Sequence, residues 1–155
     1  MSKKSHKASA SPTLTTPAIM DTLHRIFKLE MAGVVRYLHY SFMIMGYHRI
    51  PIQKWFRDQA NESMAHTTII GEKITALGGH PPMITEGIDE SNVHAVHQIL
   101  QETLDFEEET LGLYKKLAEL ATKHGDIALE ELAREFVREE TEHCEEVRKM
   151  LHKPE

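Results

Sequence analysis

Apolar residues recur every three or four positions through four long stretches of the chain, and each stretch has the period of an amphipathic helix. The pattern predicts a first helix over 18–47, with Thr16 as its cap and Pro17 in the first helical position. The second is predicted over 52–77, the third over 92–123 and the fourth over 127–151. Gly46 and Pro51 bracket the first turn, Gly78-Gly79-His80-Pro81-Pro82 stops the second helix, and His124-Gly125-Asp126 makes the last turn. Short links make antiparallel neighbours, whereas the longer connection over 79–92 permits a crossover along the bundle. The expected architecture is an all-α four-helix bundle of two helix–turn–helix halves, filling 17–152, with a long crossover between the second and third helices.

The core-facing stripes are interrupted by polar groups. Glu30 lies between Leu23, Phe27 and Val34 on the first helix, and His66 between Phe56 and Ile70 on the second. Glu107 follows Leu100 and Leu104 on the third, and Glu140 and His143 follow Leu129, Leu132 and Phe136 on the fourth. A carboxylate or imidazole buried alone is costly, and a metal ion is the usual compensation. A lone acid on such a stripe is more often a boundary residue or a partner for arginine. The repeated spacing of Glu30 to Tyr37 and Glu107 to Tyr114 weighs against that plainer reading. Four helices offering Glu, His, Glu and Glu-x-x-His describe a carboxylate-bridged di-metal site.

One position breaks the pattern. Ser63 stands three residues before His66, where the fourth helix has Glu140. The nearby acid Glu62 lies about 100° around the helix from Ser63. It is expected to face the subunit exterior or an inner cavity wall unless curvature or a π-bulge turns it into the site.

Charge and cysteine content narrow the setting. Residues 1–16 carry Lys3, Lys4 and Lys7 and no acid, so with the whole chain at −6 the remainder carries −9. An acidic body attracts cations and repels nucleic acid. The basic Ser/Thr/Pro-rich tail is expected to be disordered and solvated; three lysines make too few phosphate contacts to favour DNA. The single Cys144 excludes a disulfide within one chain and fits a reducing cytoplasm. No secretory signal or bilayer-spanning apolar run is present, so no membrane partner is expected. No phosphate loop, nucleophile triad or CxxC motif occurs. His39, His48, His94 and His97 are candidates for an inner surface or an interface, with a plain surface role as the default reading.

The chain resembles the ferritin-like superfamily, and bacterioferritin in particular, from about residue 20 to residue 150. The resemblance rests on Leu29-Glu30 with Arg36-Tyr37-Leu38-His39, on Glu62-Ser63-Met64-Ala65-His66, on Lys73-Ile74 through Leu77-Gly78-Gly79-His80-Pro81, on Glu107 and on Glu139-Glu140-Thr141-Glu142-His143. It implies oxidation of Fe²⁺ by O₂ or H₂O₂ at a di-iron site, for iron storage or detoxification. Glu30, His66, Glu107 and His143 would be terminal ligands, positions 63 and 140 bridging, and Tyr37 a hydrogen-bonding or redox-active neighbour. Met64 falls where bacterioferritin places the methionine that ligates haem b between two subunits; a helix-surface methionine at a dimer contact is the other reading. A homo-oligomer is implied, with a dimer as building block and a 12- or 24-subunit cage. Asp58 and Glu62 are candidates for a mineral-binding inner surface.

Two departures bear on these expectations. Ser63 replaces a bridging carboxylate, and the chain after His143 is too short for the fifth helix that lines the four-fold channel of the 24-subunit shell. A di-manganese catalase and a non-catalytic metal- or haem-binding bundle stand as alternatives.

Overall fold

A computed structural model describes residues 15–83 and 88–152. It contains four helices: α1 (Pro17–Met43), α2 (Arg49–Ala76), α3 (Val96–His124) and α4 (Ile127–Leu151). Apart from Thr15 and Thr16, the expected N-terminal tail lies outside the described residues.

The helix ends show why three of the predicted boundaries shift. Thr16 caps α1 as expected, its hydroxyl accepting from the Ile19 amide at 3.3 Å, and Pro17 follows it. The helix then stops at Met43 rather than Tyr47, because Ile44 is already extended and buried in the core. α2 starts at Arg49, before Pro51, since a proline in the first turn removes only an amide that has no helical acceptor. α3 starts at Val96 rather than 92 because Asn92 adopts a left-handed φ of 58°, which no α-helix accommodates. Gly78, at φ 80°, closes α2, and the next amide, that of Gly79, reaches back to the Ile74 carbonyl at 2.8 Å. Asp126 caps α4 through the Leu129 amide at 3.0 Å.

α1 pairs with α2, α3 with α4, and the two pairs meet through α1 and α3. Among the described residues, no Cα atom of α2 lies within 8 Å of one in α4 across several pairs, so long side chains bridge that gap. Two apolar cores fill the bundle. One joins Ile19, Leu23 and Ile26 of α1 to Ile70 and Ile74 of α2, Leu117 of α3 and Leu129 and Phe136 of α4. The other joins Tyr37 and Ile44 of α1 to Phe56 of α2, Ile99 and Leu104 of α3 and Val147 of α4. The start of α1 therefore meets the end of α3, and the chain must cross the length of the bundle between α2 and α3. Between the two cores lies a polar layer containing Glu30, His66, Glu107 and Glu140, all buried.

Candidate metal centre

Each predicted site residue on the four core-facing stripes reaches this layer. His66 points Nδ1 at Glu30 Oε1 (3.2 Å) and Glu140 Oε1 (3.3 Å). His143 points Nδ1 at Glu140 Oε2 (3.4 Å) and Glu107 Oε2 (3.8 Å). The two oxygens of Glu140 thus divide between the two histidines, and ligand atoms of Glu30–His66–Glu140 and of Glu107–Glu140–His143 converge within 4.8 Å of one another. These are two adjacent candidate metal positions sharing one carboxylate. Hard carboxylate oxygen with borderline imidazole nitrogen suits Fe²⁺, Mn²⁺ or Zn²⁺.

The remaining partners repeat across the halves. Tyr37 of α1 donates its hydroxyl to Glu107 of α3, and Tyr114 of α3 donates to Glu30 Oε1 of α1 at 2.6 Å. Glu62 Oε2 lies 3.2 Å from His143 Nε2, and Glu139 Oε2 lies 3.1 Å from His66 Nε2. An outer carboxylate from the opposite half therefore holds each imidazole by its second nitrogen, the arrangement that fixes a ligating histidine's tautomer. Glu62 reaches inward without a π-bulge, α2 being regular α-helix throughout; a glutamate one position off the stripe is simply long enough. Glu139 was not among the expected site residues, and Tyr114 entered only through its spacing from Glu107. A signal for Glu139 was present, because Glu62 and Glu139, like Glu30 and Glu107, are 77 positions apart.

Ser63 breaks this symmetry. It is buried and lines the central cavity with Glu140, but it is too short to serve as a bridge. A Cβ at Gly33 would lie 2.8 Å from Ser63 Oγ, so glycine is what lets α1 approach so closely here. The cavity is about 10 Å³, roughly one water-sized sphere, which is an ion's space rather than an organic substrate's. Met64 is elsewhere, exposed on the outside of α2. Cys144 packs into the second core, and burial pushes its thiol up to about 11, so it is a packing residue.

Without metal, protons hold the carboxylates together. Burial alone would lower the His66 pKa, but hydrogen bonds to Glu140 and Glu30 override it and raise it to about 10. His143 follows the same course, with Glu107, Glu140 and Glu62 raising it to about 12. Burial raises Glu107 to about 7 against the opposing pull of His143. Glu140 is lowered, its burial outweighed by hydrogen bonds from His143 and His66.

All the raised groups keep protons in the folded state that the unfolded chain releases. For the histidines, the stabilisation is complete below the ordinary value of 6.5 and is lost as pH rises through about 10 for His66 and about 12 for His143. Glu107 contributes with the same sign between 4.5 and about 7. The melting temperature of chelated protein should therefore fall steadily from about pH 6 to about pH 9. A metal bound in the protons' place should flatten that slope. Thermal melts with and without a chelator measure both.

A family model for the ferritin-like domain matches residues 20–155. No curated protein matches the sequence. Among solved structures, a ferritin-like diiron-carboxylate protein from Bacillus anthracis str. Ames is similar with a TM-score of 0.84 at 23% identity, covering 92% of this chain and 100% of its own. The bacterioferritin of Desulfovibrio desulfuricans gives 0.79 at 21%, covering 86% and 77% respectively. A dodecameric thioferritin, the bacterioferritin-related protein of Bacteroides fragilis, gives 0.79 at 20%, covering 86% and 83%.

Proposed function

This chain belongs to the ferritin-like domain family, and from that premise we propose that it binds two Fe²⁺ ions side by side and promotes their oxidation for iron storage or detoxification. The observation that carries this reading is Glu140, one buried carboxylate facing two histidine–glutamate pairs with separate oxygens. Two adjacent Fe²⁺ ions supply together the two electrons that take O₂ to H₂O₂, or H₂O₂ to water.

The protein's own part is positioning and proton handling. Glu30 and His66 would hold one ion, Glu107 and His143 the other, and Glu140 both. Loading requires neutral imidazoles, so His66 and His143 give up their protons as iron enters. Tyr37 and Tyr114, both raised well above 10 chiefly by burial, stay protonated and hold Glu107 and Glu30 in place through their hydroxyls. Glu62 and Glu139 are less buried than the inner acids and offer incoming cations a stepping point beside the histidines. The missing bridge at Ser63 leaves an open position where water or oxidant can reach the pair.

Self-association through the α1 and α2 faces is part of the proposal. Val35, Leu38 and Phe42, spaced along one side of α1, are 45%, 42% and 51% exposed, an apolar strip that a second copy would cover. A dimer is the proposed building block, with a 12- or 24-subunit cage as the larger assembly. Among the described residues no helix is long and apolar enough to cross a membrane; the cytoplasm remains the proposed compartment.

Stopped-flow mixing of protein with Fe²⁺ in air tests the proposal. Ferric absorbance in the near ultraviolet should rise much faster than in a protein-free control; an equal rate would overturn it. Oxygen evolution from peroxide without Fe²⁺ would instead assign the same ligands to manganese and a catalase. Haem has its own readout. Met64 is 54% exposed on α2, where a haem shared by two copies would cover it. Haemin should then give a Soret band in the wild type that Met64→Ala abolishes. A band that survives in the variant removes Met64 as its ligand.

A further inference from the structure

Far from the bundle centre, a second set of metal-ligating side chains meets where the crossover runs over α1. His39 comes from α1, while Glu90 and His94 come from the irregular segment that precedes α3. His39 Nε2 lies 2.8 Å from Glu90 Oε1, and His94 Nε2 lies 3.1 Å from the same oxygen. One ligand atom from each residue falls within 4.8 Å of the others, and the two rings stand 6.0 Å apart at 62°. We propose that His39, Glu90 and His94 form a divalent transition-metal site, of the Zn²⁺ class, that staples the crossover to α1.

Four observations carry this beyond an ordinary ion pair. First, His39 Nε2 is shielded from solvent and faces Glu90 Oε1 at 2.8 Å in poor hydrogen-bond alignment. A shielded imidazole nitrogen without a well-aligned partner is a group that a bound metal ion would satisfy. Second, the spacing fits. Ligands about 2.1 Å from a tetrahedral Zn²⁺ stand roughly 3.4 Å apart, so the contacts of 2.8 and 3.1 Å to Glu90 need to open by about 0.6 and about 0.3 Å.

Third, the backbone is shaped to bring Glu90 and His94 together without a helix. Asn92 takes a φ of 58°, its side-chain amide donates to the Glu90 carbonyl at 3.4 Å, and Ser91 Oγ accepts from the Val93 amide at 3.2 Å. Fourth, the three donors line a cavity of about 180 Å³ together with Val35, Ile88 and Val93, which leaves space for a water or small anion as fourth ligand. Two imidazoles and one carboxylate with an open position make a donor set for Zn²⁺ and its neighbours in the transition series rather than for Ca²⁺ or Mg²⁺.

None of the three residues belongs to the buried centre, so this site stands or falls separately from the iron reading. The Zn²⁺ content of the chelated full chain is counted after dialysis against Zn²⁺, in the wild type, in His39→Ala/His94→Ala, and in the milder His94→Gln. The wild type should retain one Zn²⁺ per chain more than the double variant, while both keep the same number at the buried centre. A local readout guards against a miscount. With free Zn²⁺ at about ten times its Kd, amide exchange over residues 88–95 should slow roughly tenfold in the wild type and be unchanged in the double variant. Equal Zn²⁺ counts, or exchange over 88–95 that ignores Zn²⁺ in the wild type, would reduce the cluster to an ion pair and overturn the assignment. The replaced side chains are one-third exposed or slightly more, so all variants should fold, which circular dichroism checks.

Discussion

Glu140→Gln should leave the chain unable to hold a metal pair. Its two oxygens face His66 and His143 separately, at 3.3 and 3.4 Å, and Ser63 offers no second bridge. A family site with two bridging acids could lose one and keep the other; this chain has no such reserve. Fe²⁺ bound per chain should drop from two to at most one, and oxidation should slow by about a hundredfold, equivalent to about 2.7 kcal/mol of barrier. The neighbouring Glu142 gives the control. It belongs to the same Glu-Thr-Glu-His run but is exposed and paired with Arg138 at 3.0 Å, so Glu142→Gln should change neither quantity. Stopped-flow oxidation and anaerobic metal counts on the two variants measure the difference directly.

His66→Ala should produce the largest loss of stability in the metal-free protein. The protonated ring lies within 3.3 Å of Glu30, Glu139 and Glu140. Removing it leaves Glu30 and Glu140 buried together without their shared cation, a change that costs about 3–5 kcal/mol. Aromatic packing is lost as well, since the ring stands 4.6 Å from Phe136, centroid to centroid. The deficit should be greatest near neutral pH and shrink above it, as the wild-type ring loses the proton it holds up to about 10. It should also shrink in acid, where the stranded carboxylates take up protons of their own. Urea unfolding of chelated wild type and variant at about pH 5 and about pH 7.5 tests this. A loss that does not change with pH would mean the ring matters only as packing.

The inner candidate ligands were legible because burial writes a simple period into sequence. Glu30, His66, Glu107 and Glu140 replace apolar residues at positions the helix period assigns to the core, so each is conspicuous. The bundle and its crossover were legible for a related reason: short turns and one long link leave few ways to close four amphipathic faces. Outer partners do not announce themselves in this way. Glu62 and Glu139 sit beside the stripe, at positions that usually face water, and only the reach of a glutamate side chain brings them to His143 and His66. The interval that repeats from one half to the other marked them, but a helical wheel of a single helix cannot.

The shifted boundaries have equally local causes. Pro51 reads as a helix breaker, yet it is harmless in a first turn, and α2 begins before it. Asn92 reads as a helix start but takes a left-handed conformation that delays α3 to Val96. That same turn gathers His94 and Glu90 beside His39, three residues with no shared period and up to 55 positions apart. Only the folded crossover brings them together.

The central claim is a pair of metal positions sharing one carboxylate, and anaerobic titration of the chelated protein with Fe²⁺ tests it most directly. Two tight irons per chain are expected, with Mössbauer parameters of two ferrous sites and magnetic coupling between them that Glu140→Gln removes. A single uncoupled iron, or none, would contradict the account.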